Sequence, residues 1–386
     1  MTSYNNYQNL IYILLLLTIP FDIIVGYFDA SNHLPIFRGV LTTFIVLYVL
    51  IGVYVRNHVF TVMIIMLVYL FILSSFSSDL LMSYQRFSKF SLSVLFLPIG
   101  FSIFNSKNAL EKLNNALLIS ALIISFTVIV STVFGYESRG YRDEISGFST
   151  GIMFSGALFI LMYFILISPL IKEFINEHQI IIIDVVIIIS TIIIFLTMKR
   201  SVIIILLSSI ILFFVLYRYK MRSFSILICI IISFIILQHF FYDTLSARLD
   251  IRGDKVYVEA YENEARYLET IYVWEEIISF EDLRYSIFGR ELFNTVGNYA
   301  SGSFGDRELH VDYNIILNGS GLLGLFLYLL FHFTLIIKFN KYKKYIRNDR
   351  LNILLSAMFY VILFSSLLIS INGGMSNLTF RPFVFV

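Results

Sequence analysis

The chain has 386 residues, 58% of them hydrophobic and 14% charged, with a formal net charge of +2. A soluble globular domain is about half apolar and about a quarter charged, so this composition excludes an ordinary soluble enzyme and places the chain in the membrane class. Its Lys and Arg fall in short clusters between apolar blocks, which gives no continuous basic face for nucleic acid.

Met1 to Asn9 is polar and uncharged and runs straight into an apolar block, without the basic start or small-residue cleavage site of a secretory signal. It is read as a retained first helix. A helix crosses the bilayer core with about 20 apolar residues. Runs that meet this lie at approximately 10–28, 35–55, 59–77, 88–104, 113–134, 148–171, 180–198, 201–217, 223–241, 313–337 and 351–371. They are continuous rather than alternating, so they predict helices and not barrel strands. Cys229, the single cysteine, sits inside one of these runs. It makes no internal disulfide and is read as a small apolar residue. Asp22 and Asp184 also fall inside apolar runs, either as functional groups or as bonds between neighbouring helices. Leu378 to Val386 is too short to span as a regular helix, and a re-entrant course for it stays open.

With the N-terminus in the cytoplasm, the inner loops hold Arg56, Lys107, Lys112, Lys172, Arg218, Lys220, Arg222 and the cluster from Lys338 to Arg350. The short outer loops hold fewer cations, which favours this orientation. The segment from Tyr242 to Asp312 then lies outside. The expectation is an all-α polytopic membrane protein of about 11–12 transmembrane helices. It has N-terminal helices over 1–241, a large external loop over 242–312 and C-terminal helices over 313–386.

The loop carries the only tryptophan, Trp274, and from Val256 to Phe280 its apolar residues recur at helical spacing. This predicts one or two amphipathic helices lying over the membrane face. A structured loop of this length is more often functional than a spacer.

Several groups are candidates for chemistry. Lys199-Arg200-Ser201 sits at a tight outer helix junction. The two cations either snorkel to the interface or form an anion site with the following helix N-terminus. Arg266 lies on the amphipathic stretch, with Glu262 and Glu269 as surface partners within reach. Ile287-Phe288-Gly289-Arg290 reads as a turn. Gly297, Gly302 and Gly305, with Ser301 and Ser303 between them, form a flexible stretch suited to a lid or access gate. His310-Val311-Asp312-Tyr313 precedes an apolar helix bearing Gly319, Gly321 and Gly324. His310 and Asp312 are either a general-base pair or an interfacial cap. No metal-binding spacing is present.

Taken in order, these residues resemble the O-antigen ligase/polymerase superfamily, including the Wzy-type polymerases. The resemblance rests on Arg200-Ser201 at an outer helix junction, Arg266 before Trp274, Phe288-Gly289, His310-Val311-Asp312-Tyr313 and the step Gly321-Leu322-Leu323-Gly324. Val311 stands where Asn is common in the family. The resemblance implies a metal-independent glycosyltransferase without a cofactor, on the outer face of the bacterial inner membrane. It would use undecaprenyl-pyrophosphate-linked glycans as donor and acceptor, in lipopolysaccharide or other surface polysaccharide biosynthesis. Its implied partners also include membrane lipids, a chain-length regulator and a flippase. Arg200, Arg266 and Arg290 are implied to bind the pyrophosphate, and His310, assisted by Asp312, to orient or deprotonate the attacking hydroxyl. A ligase acting on lipid A–core is the alternative within the family. A transporter for the same lipid-linked sugar is the alternative outside it, disfavoured by the lack of a visible internal repeat.

Overall fold

The computed structural model describes residues 2–27, 33–52, 58–103, 107–134, 156–174, 177–197, 199–217, 220–243, 246, 265–299, 307–345, 349–374 and 377–385. Among these residues every regular element is a helix. In chain order they are α1 (Thr2–Tyr27), α2 (His33–Gly52), α3 (His58–Ser74), α4 (Leu80–Ile103), α5 (Lys107–Val133), α6 (Gly156–Phe174), α7 (Glu177–Leu196), α8 (Arg200–Leu216) and α9 (Lys220–Phe240). They continue with α10 (Ala265–Ile278), α11 (Leu283–Phe288), α12 (Asp312–Tyr342), α13 (Asp349–Asn372) and α14 (Arg381–Phe385). Five segments are long and apolar enough to cross a membrane: Asn5–Val25, Leu80–Ile103, Leu110–Val133, Asp312–Tyr345 and Leu351–Ile371. Six more helices are apolar but shorter.

The core forms around α6. Ala157 to Leu166 are all buried, on every side of the helix, as an all-apolar helix at the centre of a bundle requires. It packs against α5, α7, α8 and α13. A second apolar cluster joins α3, α4, α10 and α12 with Leu292, Phe293 and Leu309 of the connecting loop.

The two aspartates within the apolar helices α1 and α7 are paired. Asp22 of α1 meets Arg38 of α2 and accepts a hydrogen bond from Thr379 at 2.7 Å. Asp184 of α7 pairs with Lys172 of α6. Cys229 is buried with its Sγ 3.6 Å from the Asp184 carboxylate. These aspartates therefore bond neighbouring helices, the outcome that the cost of a lone charge in an apolar bundle favours. The chain after α13 returns into the bundle. Phe380 is fully buried, 4.9 Å from the Phe159 ring centroid and 6.4 Å from that of Tyr163.

One apolar run is not a continuous span. Gly321, inside α12, has φ 62° and ψ −167°, which is not helical. Tyr313 and Tyr328 lie on either side of it, at positions that a straight helix would separate by roughly 22 Å. Their ring centroids are 6.0 Å apart. Both phenols also bond the same turn of α13, Tyr313 to the Leu367 carbonyl at 2.9 Å and Tyr328 to Ser370 at 3.2 Å. The chain therefore reverses at Gly321. The limb 312–320 is about 13 Å long and too short to cross, whereas 322–342 is about 31 Å long and matches a bilayer core. The expected span 313–337 is corrected accordingly.

Candidate active site

One end of the bundle gathers the candidate residues. The turn between α3 and α4 meets the loop after α11 there, through Ser77 and Ser78 against Glu291. The backbone of Gly373, just past α13, packs against that of His310.

α10 organises this end. Glu269, Val273 and Ile277 recur at four-residue spacing and are all fully buried, so a carboxylate occupies the inward stripe of an otherwise apolar face. A buried carboxylate needs a counter-charge. Arg307 supplies one, its Nε 2.5 Å from Glu269 Oε1. His310 Nδ1 lies 3.8 Å from the same oxygen, and the His310 side chain is 42% exposed. Tyr299 joins the group: burial, and then the Glu269 charge, push its phenol up to about 12. One turn before Glu269, Arg266 is exposed, and its charge reaches Lys199. The Lys199 ammonium is half-buried, 5.2 Å from the Phe159 ring centroid. Burial, reinforced by the positive charge of Arg266, lowers it to about 8. Arg200, exposed, opens α8 immediately after it. α10 thus carries a cation whose charge reaches Lys199 and, one turn on, a buried carboxylate beside a histidine.

The carboxylate beside His310 Nδ1 is Glu269, whereas Asp312 faces the C-terminal segment. Asp312 Oδ1 accepts from the Gly374 N–H at 2.9 Å, and its Oδ2 is 3.6 Å from Arg381 Nη2. Arg381 is buried and donates to the Gly374 carbonyl at 3.1 Å, Ser366 at 2.6 Å and Ser370 at 3.2 Å. Asp312 therefore anchors the start of α12 and, through it, the segment bearing His310. Asn314, one turn into the limb, donates to Thr270 of α10 at 2.8 Å and fixes the two elements together.

Arg290 lies apart from Arg266. Its guanidinium is 3.8 Å from Glu276 and stacks 4.2 Å from the Tyr285 ring centroid. Glu276 is about 15 Å along α10 from Arg266. The turn carrying Arg290 is held by the short limb of α12: Arg290 N–H donates to the Asn318 carbonyl at 2.8 Å, and Tyr285 O–H donates to the Asn318 side chain at 2.7 Å. Here two backbones touch. A Cβ on Gly289, at φ 78°, would meet Gly319 and Ser320 backbone atoms at 2.4 Å. α11 itself starts at Asp282, whose carboxylate accepts from the Arg284 and Tyr285 N–H groups at 3.0 and 3.1 Å. Gly302, Gly305, Ser301 and Ser303, expected to form a lid, lie outside the described residues, as do 256–264 of the amphipathic stretch.

Sequence reasoning passed over Lys199 as a partner of Arg266, and Glu269, Arg307 and Arg381 as site residues. Glu269 carried a readable signal, a charge in phase with Val273 and Ile277 on the apolar stripe. Arg381 carried another, a lone cation in an apolar tail. Among the described residues no group of three or more His, Cys, Asp or Glu is placed to hold a metal ion. The geometry offers two capabilities: anion binding at Lys199 and Arg266, and proton transfer at an exposed imidazole backed by a carboxylate. No protein-family model, curated protein or solved structure matches this chain.

Proposed function

We propose that the protein is a surface-polysaccharide polymerase. It joins oligosaccharide repeat units carried on undecaprenyl pyrophosphate, at the outer face of the bacterial cytoplasmic membrane. Nine helices from α1 to α9, the long limb of α12 and α13 would cross the bilayer, with the N-terminus in the cytoplasm. The α10–α11 segment would then lie outside. The observation that carries the reading is the Glu269 carboxylate 3.8 Å from His310 Nδ1, one turn along α10 from Arg266, whose charge is felt at Lys199.

In this reading Lys199, Arg200 and Arg266 hold the donor pyrophosphate, their charge and hydrogen bonds strengthening as the leaving group gains charge. His310 takes the proton from an acceptor hydroxyl, and Glu269 and Arg307 hold the imidazole in place. The acceptor oxygen forms a bond to the anomeric carbon. The bond from that carbon to the phosphate oxygen breaks, and the pyrophosphate leaves with the electron pair on its carrier lipid.

The test is deletion of the gene in its host, followed by gel analysis of the surface glycan. Loss of long chains, with single repeat units still transferred, is expected. Long polymer left on the carrier lipid would instead indicate a ligase, and repeat units trapped on the inner face a transporter. Restoring the gene with Arg200→Lys is expected to leave most activity missing, because Lys lacks the bidentate fork. Polymer of normal length from that variant would overturn the pyrophosphate role.

A further inference from the structure

α10 carries a second apolar stripe besides the one it buries at Val273 and Ile277. Tyr267, Ile271, Trp274 and Ile278 recur at steps of four, three and four residues, which stacks them on one helix face. That face lies about 130° around the helix from the buried stripe, and no charged residue of α10 falls within about 60° of its centre. It is outside the core: Tyr267, Trp274 and Ile278 are 46%, 36% and 54% exposed. Phe280 and Leu283, at the turn into α11, are exposed as well.

The depth of this stripe follows from its neighbours. α10 runs alongside the short limb of α12, because its ties to that limb advance together. Asn314 donates to Thr270 at 2.8 Å, and Asn318 and Glu276 share the Tyr285 hydroxyl at 2.7 and 3.1 Å. Tyr313, next to Asn314, packs its ring against that of Tyr328. Tyr328 lies six residues into the long limb, about 9 Å below its outer end. The long limb matches a bilayer core in length, so the Thr270 end of α10 sits below the outer limit of that core. Trp274 falls between the two ties, level with the outer turns of the span. The same limb exposes Phe326, Leu329, Phe333 and Ile337, the composition of a face set against lipid tails. Residue type agrees with depth. Trp and Tyr concentrate at the level of lipid headgroups, where a ring with a polar tip meets both media. Ile271 and Ile278 add the apolar surface that draws an interfacial helix into the boundary.

We propose that the Tyr267–Ile278 stripe docks α10 on the outer leaflet of the bilayer, at the boundary between headgroups and acyl chains. Lipid then holds one side of the helix and the bundle holds the other, which fixes the level of Arg266 and Glu269 relative to the membrane. The proposal requires a bilayer around the long limb of α12 and makes no use of the polymerase reading.

The test uses Trp274, the single tryptophan of the chain, in purified full-length protein held one copy per nanodisc. The nanodisc phosphatidylcholine carries bromine, a contact quencher, near either the glycerol end or the methyl end of its acyl chains. Acrylamide is the quencher from water. The shallow bromine is expected to remove at least about half of the Trp274 emission, because an interfacial helix lies roughly 5–10 Å into the headgroup boundary. The deep bromine should remove less. A reference emitter, Phe333→Trp in a Trp274→Phe background, sits eleven residues into the long limb, near the bilayer centre, and should show the reverse order. Full quenching by acrylamide with no effect of either bromine would place the stripe in water and overturn the proposal. Resistance to all three quenchers would overturn it too, because protein would then cover the stripe. The same order of bromines for both emitters would overturn the depth set by the Tyr313–Tyr328 contact. No turnover is measured, so the result stands whatever deletion does to the surface glycan.

Discussion

The reversal of α12 makes a stringent prediction at Gly321. With φ 62° and ψ −167°, its backbone occupies a region that is essentially restricted to glycine, and a side chain there costs about 1–3 kcal/mol. A Cβ would also sit 2.3 Å from the carbonyl carbon and oxygen of Ile287. These are backbone atoms near the end of α11, which cannot rotate aside, so overpacking adds about 1–3 kcal/mol. Gly321→Ala is therefore expected to destabilise the fold by about 2–6 kcal/mol. Gly39 of α2 is the internal control, because a Cβ there would meet nothing within 4 Å. The assay is thermal unfolding of both purified variants in detergent, followed by size-exclusion fluorescence. Gly321→Ala should unfold well below Gly39→Ala. Equal unfolding temperatures would mean that α12 continues through Gly321 without reversing.

Three further outcomes are expected. Glu269→Gln keeps the shape of the side chain but removes the charge beside Arg307 and His310. In a polymerisation assay with purified lipid-linked repeat units, kcat should fall about a hundredfold, with KM nearly unchanged; an unaltered kcat would remove Glu269 from the reaction. Arg381→Ala leaves the Asp312 carboxylate buried without its cation and should cost about 3–5 kcal/mol. The double change Asp312→Leu with Arg381→Met should recover much of it, and a purely additive double-mutant cycle would show that the pair is not coupled. Lys199 supplies a pH test. Its folded value, lowered to about 8 by burial and by Arg266, means that folding disfavours the ammonium below pH 8 and that this penalty fades as pH rises from there towards the ordinary lysine range. The cation itself is lost over the same window, so inorganic pyrophosphate should bind more weakly as pH passes 8. Lys199→Met should flatten that dependence, and a wild-type affinity that stays constant or rises would count against the anion site.

Helix positions were legible because burial in an apolar surrounding leaves a compositional record. α6 was legible as an apolar helix, but its central place was not, because α3, α7 and α8 are as apolar and yet expose residues such as Ile64, Ile181 and Ile204. The reversal at Gly321 was not legible, because apolar residues continue without interruption on both sides and hydropathy does not register a backbone dihedral. The glycines there were readable as a close approach, and the partner, Ile287 at the end of α11, becomes visible only in three dimensions. Arg200, Arg266 and His310 were readable as candidates. Their neighbours were not: the carboxylate nearest His310 Nδ1 comes from α10, more than forty residues upstream, and the charge that meets Asp312 comes from the tail. Spacing along the chain left His310 and Asp312 open as a base pair or a cap, and the start of a helix turns nearby side chains in different directions.

The Asp312–Arg381 contact bears on the order in which the protein is made. A ribosome releases α10 and α12 well before residue 381, and chains fold from the N-terminus onward during synthesis. Until residue 381 emerges, Asp312 lacks this arginine, and the start of α12 is held to α10 through Asn314 and Thr270. A chain arrested shortly before Arg381 would therefore hold nearly every described helix while Asp312 lacked its cation.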